Sequence, residues 1–327
     1  MSLVQYTNYD NLSVDSLKVA GATIQPAQVG SPWATHYFVD GNLGSDDYDG
    51  LSSEKPFLTM DAAFDVIGSG DVIWARGNIR EQLTTPAGVF GVTIVGIGEG
   101  VTRHPDAHTS NNGYKDAFRW NAPATPTAST PLLKIQQQGW KLYNILFTGD
   151  EDDSVGCVQL YRDGASGDSE RDASHAVIQG CRFQAGLYGI QDSGGCARVK
   201  IYGNEFLLFS VSDNDAITNV TGAGIGTVWG WEIVGNKFHA NYSDIDLACT
   251  GPSIVGNHFH RVSLGTTNTI ALDMTGSTEE LVSKNWMYSD SALAGSINAR
   301  FTDSASTTAY WGPNYYSDKE EYAEPAE

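Results

Sequence analysis

The chain of 327 residues carries 19 basic and 39 acidic side chains, a formal charge of −20, which is the wrong sign for a protein that gains affinity by neutralising phosphates, so nucleic acid is not an expected partner. Hydrophobic residues reach 41%, with 36 Gly against 11 Pro; this excludes a disordered acidic chain and points to a turn-rich globular protein made of strands. No window approaches the roughly 18 apolar residues of a membrane span, so membrane insertion is not expected either.

Residues 1–33 read as an arm. The opening MSLVQYTNYDNLSVDSLKVA has neither a basic leader nor a continuous apolar stretch, and thus no export or anchoring signal. VDSLKVAGATI, from Val14 to Ile24, alternates like a short strand and turn, and a polar stretch follows through Pro32. Residues 34–327 form the second unit, which ends in the acidic tail KEEYAEPAE. Its leading text contains one convincing helix, with Thr59 as N-cap, an apolar stripe of Ala62, Ala63, Phe64 and Ile67, and Gly68 to Gly70 as its end. The four cysteines, Cys157, Cys181, Cys196 and Cys249, lack the paired spacing of a zinc site and are too few for a disulfide framework; they read as buried thiols. Nucleotide-binding glycine motifs, G-x-S-x-G and HExxH are all absent.

The decisive pattern is a repeat. VIQGCRF, KIYGNEF, EIVGNKF and SIVGNHF end at Phe183, Phe206, Phe238 and Phe259; KLYNILF, ending at Phe147, and the degenerate LVSKNWM, ending at Met287, flank them. The separations of 36, 23, 32, 21 and 28 residues suit coils with fixed strands and variable loops. In each copy the period of two turns Leu142, Ile178, Ile201, Ile233, Ile254 and Val282 inward. Gly180, Gly203, Gly235 and Gly256 fall where the chain must bend. Asn204, Asn236, Asn257 and Asn285 share one register and are expected to hydrogen-bond as a ladder, with the Phe column one register on. A strand, turn, Asn and inward aromatic repeated in this way build a parallel β-helix, in which each coil buries its faces against its neighbours.

The stretch from Tyr37 to Gly100, with VDGN-GSDDYDG, KPFLT, GDVI and VTIVG, resembles the leading coils of right-handed parallel β-helix proteins of the pectin-lyase-like superfamily, which includes polysaccharide lyases, glycoside hydrolases and phage tailspikes. The arm NLSVDSLKVAGATI is similar to leading segments of phage structural proteins that attach a β-helix to the virion. The resemblance implies an all-β solenoid with one short capping helix, displayed on a virion as a structural or adhesion component. Its expected partners are other virion proteins, further copies of itself in a homotrimer, and host-surface polysaccharide. A polysaccharide depolymerase and a non-catalytic carbohydrate-binding module are the alternatives.

Chemistry has two candidate places. Asp213 and Asp215 in SDNDAI, and Asp244 and Asp246 in YSDIDL, are spaced i and i+2, hence on one face if extended, and fall in nearly the same register on neighbouring coils. Stacked carboxylates would raise one pKa and leave an acid beside a base, as glycoside hydrolysis requires. The alternative is solvated surface charge, and the expectation is that these residues are not catalytic. The polygalacturonase set of NTD, DD, GHG and RIK is missing, with only Arg198-Val199-Lys200 imitating its last element. Asp40, Asn42, Asp46, Asp47 and Asp49 have spacing like a calcium loop, without the acidic twelfth position of an EF-hand; a tight turn entering the first coil is the simpler reading. No other cofactor is expected. Trp229 and Trp231 could offer a sugar platform, but Trp231, like Trp140, has the parity of the core.

Overall fold

The computed structural model describes residues 17–19, 22–24, 33–98, 117–163, 171–209, 214–220, 228–261, 270–289, 301–302 and 310–316. Leu17–Val19 and Ala22–Ile24 pair antiparallel in a two-stranded sheet of their own. Apart from the exposed Trp33, the rest of the expected arm and the acidic tail lie outside the described residues.

Among the described residues three all-parallel sheets, of ten, nine and eight strands, make up the body. The chain visits them in turn, so the first copy of the repeat pairs with the next one coil later. In the first sheet Leu142, Ile178, Ile201, Ile233, Ile254 and Val282 are register partners in sequence, and all are buried. In the second sheet Trp120, Phe147, Phe183, Phe206, Phe238 and Phe259 form one interior column. The four Phe–Phe centroid spacings lie between 4.9 and 5.2 Å with rings within 11° of parallel. That spacing is the inter-strand distance of a sheet, so the ladder of backbone bonds sets the stacking. The third sheet contributes Leu133, Val158, Ile190, Ile217, Ile245 and Leu272.

Between the first two sheets lies the expected turn. Gly180, Gly203, Gly235 and Gly256 have φ of 60–68°, a left-handed conformation that costs a residue with Cβ roughly 1–2 kcal/mol. Asn144 and Lys284 fill the same position in the two outer copies with φ of 56°. Lys284→Gly is therefore expected to raise stability by about 1 kcal/mol, read by urea unfolding; no gain would show that the turn is not strained. Immediately after the turn the Asn ladder forms: each Oδ1 accepts the backbone N–H and Nδ2 of the Asn one coil earlier, from Asn204 through Asn236, Asn257 and Asn285 to Asn314.

The helix spans Met60–Phe64, capped by Thr59 Oγ1, which accepts from Ala62 N. Met60, Ala63 and Phe64 are buried, and Phe64 meets Trp140 edge-on at 5.6 Å. The four cysteines are free and buried. Burial pushes the thiols of Cys157, Cys181 and Cys249 up to about 12, so they are packing groups rather than nucleophiles.

Candidate functional site

On the third sheet the residue after each interior aliphatic turns outward. Lys134, Gln159, Gln191, Thr218, Asp246 and Asp273 are consecutive register partners, one polar side chain per coil. Gln159 Nε2 donates to Gln191 Oε1 at 3.2 Å, and Lys134 Nζ sits 3.6 Å from the centre of the Tyr161 ring. At the far end the column turns acidic. Asp246 is exposed and Asp273 half-buried, with Asp273 Oδ1 accepting from Thr275 N at 2.9 Å. Desolvation against the sheet, followed by the charges of Asp215 and Asp273, pushes the Asp246 carboxyl up to about 6.

The four aspartates singled out by spacing do not stay together. Asp215 lies near enough for its charge to raise the Asp246 carboxyl, although Asp215 is level with Ser243 and Asp246 with Thr218. Asp244 does not join them: it is buried, and its Oδ1 accepts from Asn241 Nδ2 at 2.9 Å. Ala240, with φ of 55°, turns the chain just before this strand, and Ser243, Asp244 and Ile245 are all buried. Alternation has not begun at Asp244, so the expectation of one face for Asp244 and Asp246 fails. Asp213 lies outside the described residues. Asp273, which spacing did not suggest, supplies the third carboxylate. Its signal is the sequence LDM, an Asp directly after an interior aliphatic, as in IDL at Asp246.

The leading acidic loop is occupied by its own backbone. Asp40 pairs with Arg76 Nε at 2.6 Å and accepts from the amides of Asn42 and Leu43. Asp46 accepts from the amides of Leu58 and Thr59 and from Thr59 Oγ1, and Asp49 from Leu51 N. Asp47 offers its amide to Ser45 Oγ, and Asn42 lies against Gly77. These contacts are those of a turn, and among the described residues no group of three or more His, Cys, Asp or Glu is arranged to hold a metal. Trp231 and Trp140 are buried in the core, whereas Trp229 is exposed with the Arg198 guanidinium 4.8 Å from its ring centre.

The fold is a right-handed parallel β-helix, similar to those of carbohydrate-active β-helix proteins. A GH136 lacto-N-biosidase from Eubacterium ramulus superposes with a TM-score of 0.51 at 11% identity over 86% of this chain and 56% of that one. The chain thus spans little more than half the length of that enzyme. XylC in complex with xylose gives 0.48 at 11% identity over 86% and 70% of the two chains. A tailspike, gp49 of Acinetobacter baumannii bacteriophage Fri1, described as a capsular polysaccharide depolymerase, gives 0.23 at 11% identity over 95% and 68%. No protein-family model matches the chain, and no curated protein matches it in sequence. Among the described residues no helix is long and apolar enough to cross a membrane.

Proposed function

We propose that the chain is a glycan-adhesion β-helix of a virion, which engages host-surface polysaccharide along the outer face of its third sheet. The observation that carries this reading is the polar column itself. Gln159, Gln191, Thr218, Asp246 and Asp273 present hydrogen-bonding side chains once per coil, at the strand spacing of about 4.8 Å. A straight, regularly spaced row of amides, hydroxyls and carboxylates suits the recurring hydroxyls of an extended polysaccharide. On this reading the partners are other virion proteins and further copies of the chain in a homotrimer, with the arm as the attachment segment. Capsule and lipopolysaccharide purified from host cells should bind the wild-type chain, and Asp246→Asn together with Gln191→Ala should weaken binding about tenfold, the effect of losing one or two good hydrogen bonds. Unchanged binding in the double variant would remove the third sheet as the adhesive face.

One observation favours a second reading, a depolymerase. Asp246, whose carboxyl is pushed up to about 6 by desolvation and then by the charges of Asp215 and Asp273, is suited to donate a proton to a leaving group. Asp246 and Asp273 are direct register partners, and neighbouring strands bring side chains to about 5 Å, the separation of a retaining glycosidase pair. Release of new reducing ends from host polysaccharide that Asp246→Asn abolishes would make this the function; binding without cleavage leaves Asp246 as a hydrogen-bonding group of the adhesive face.

A further inference from the structure

On the second sheet the residue after each interior aromatic turns outward. In successive coils it is Thr148, Gln184, Leu207, His239, His260 and Tyr288. Two histidines thus stand side by side on the strands Lys237–His239 and His258–Arg261, 21 residues apart in the chain. Their backbones are pinned. Phe238 and Phe259, the residues before them, stack at 5.0 Å in the core, while the His239 carbonyl accepts from Leu208 N and the His260 carbonyl from Ala240 N. The two imidazoles are half-buried, with the buried Leu207 next in the column on one side and Tyr288, edge-on to His260 at 4.9 Å, on the other.

Rings on register partners of a parallel sheet lie face to face at the strand spacing when they share a rotamer, as the Phe column does. The imidazoles depart from this. Their planes are tilted by 54° and their centres lie 4.5 Å apart, yet the two Nδ1 atoms approach to 2.7 Å. The rings therefore converge on their Nδ1 edges, where one N–H donates to the other nitrogen. Two imidazole nitrogens so placed are also a chelating pair. With metal–nitrogen bonds of about 2.0 Å, a square-planar ion asks for about 2.8 Å between neighbouring nitrogens and a tetrahedral one for about 3.3 Å. The observed 2.7 Å matches the first.

We propose that His239 and His260 chelate a divalent transition-metal ion through their Nδ1 atoms, with Cu(II) preferred and Ni(II) next, and that the ion clamps two neighbouring coils together on the outside of the solenoid. The spacing suits the tetragonal geometry of these two ions, and Cu(II) leads the divalent series in affinity for nitrogen ligands. Both rings bind as neutral imidazoles. The accepting ring already carries its proton on Nε2, and the donating ring moves its proton from Nδ1 to Nε2, so that the metal takes the place of the shared proton. Among the described residues no third His, Cys, Asp or Glu joins the pair, so water completes the coordination, and an ion that seeks several carboxylate oxygens, such as Ca(II) or Mg(II), gains little from the site. The inference does not rest on the glycan reading, which concerns the third sheet.

The experiment is titration of the full chain with copper, nickel, zinc and magnesium chlorides, followed by calorimetry and, for copper, by electron paramagnetic resonance. One copper equivalent is expected to show two imidazole nitrogens in its spectrum and to bind more tightly than nickel or zinc, with magnesium failing to bind. His239→Asn and His260→Asn should each weaken that equivalent about a hundredfold, the advantage of a second tethered ligand, and the double variant no further than either alone; His258→Ala should leave it unchanged. Because the unfolded chain does not hold the two rings together, copper should also raise the Tm of the wild type and slow amide exchange in Lys237–His239 and His258–Arg261. That readout needs no variant. Absence of copper binding, copper retained in full by either Asn variant, magnesium bound as tightly as copper, or a wild-type Tm and exchange pattern indifferent to copper would each overturn the proposal.

Discussion

Phe238→Ala is expected to lower the unfolding free energy by about 3–5 kcal/mol, the range for truncating a fully buried Phe. The ring is 1% exposed and lies 5.0 Å from Phe206 on one side and 5.0 Å from Phe259 on the other. Both neighbours are held by their own strands, so the space cannot close by collapse, and the residual cavity adds to the lost transfer energy. Because a coil touches only the coils before and after it, the damage should be local. Amide hydrogen exchange should accelerate in Glu205–Leu207, Lys237–His239 and His258–Arg261, with little change around Trp120. A loss below about 1 kcal/mol, or exchange raised evenly along the whole solenoid, would show that the column does not act as the argument requires.

The features legible in the sequence are those tied to backbone geometry. Phe183, Phe206, Phe238 and Phe259 could be aligned because the strand, the left-handed turn and the residue that follows, Cys181 in the first copy and Asn in the others, fall within seven consecutive residues, with no loop in between to disturb the count. The same short range explains what was missed at the ends. Trp120 heads the column from a segment without the Asn turn, and Asn314 closes the ladder after Pro313, where the repeat has a glycine two residues earlier rather than next to it. The third sheet was misread for a related reason. Its interior residues Ile217, Ile245 and Leu272 lie eleven, seven and thirteen residues beyond Phe206, Phe238 and Phe259, since a loop of varying length intervenes. Counting from Phe therefore set Asp215 against Asp244 and Asp246, whereas hydrogen-bonded register sets Asp246 against Thr218 and Asp273.

Asn236→Ala should cost at least as much as the loss of the aromatic ring, about 3–5 kcal/mol, although it removes almost no apolar surface. Asn236 is fully buried. Its Oδ1 accepts from Asn204 N at 2.9 Å and Asn204 Nδ2 at 3.0 Å; its Nδ2 donates to Ile201 O at 2.9 Å and Asn257 Oδ1 at 3.0 Å. Truncation strands the Asn204 amide groups and the Ile201 carbonyl between coils, where each unsatisfied buried group costs about 1–3 kcal/mol. Asn236→Asp separates this explanation from simple loss of packing. Aspartate keeps the shape and can still accept from Asn204, but when ionised it places a buried charge against the Ile201 and Asn257 oxygens and donates to neither. Burial and those oxygens favour its neutral form, so its folded-state pKa must lie above the unfolded value. A carboxyl with a raised pKa contributes most at low pH and loses that contribution as pH rises through the folded value. The aspartate variant should therefore be more stable at pH 4 than at pH 8 relative to wild type, while the alanine variant shows the same deficit at both. Urea unfolding at the two pH values measures this, and an aspartate variant with a deficit independent of pH would mean that the ladder is held by shape and not by its donors.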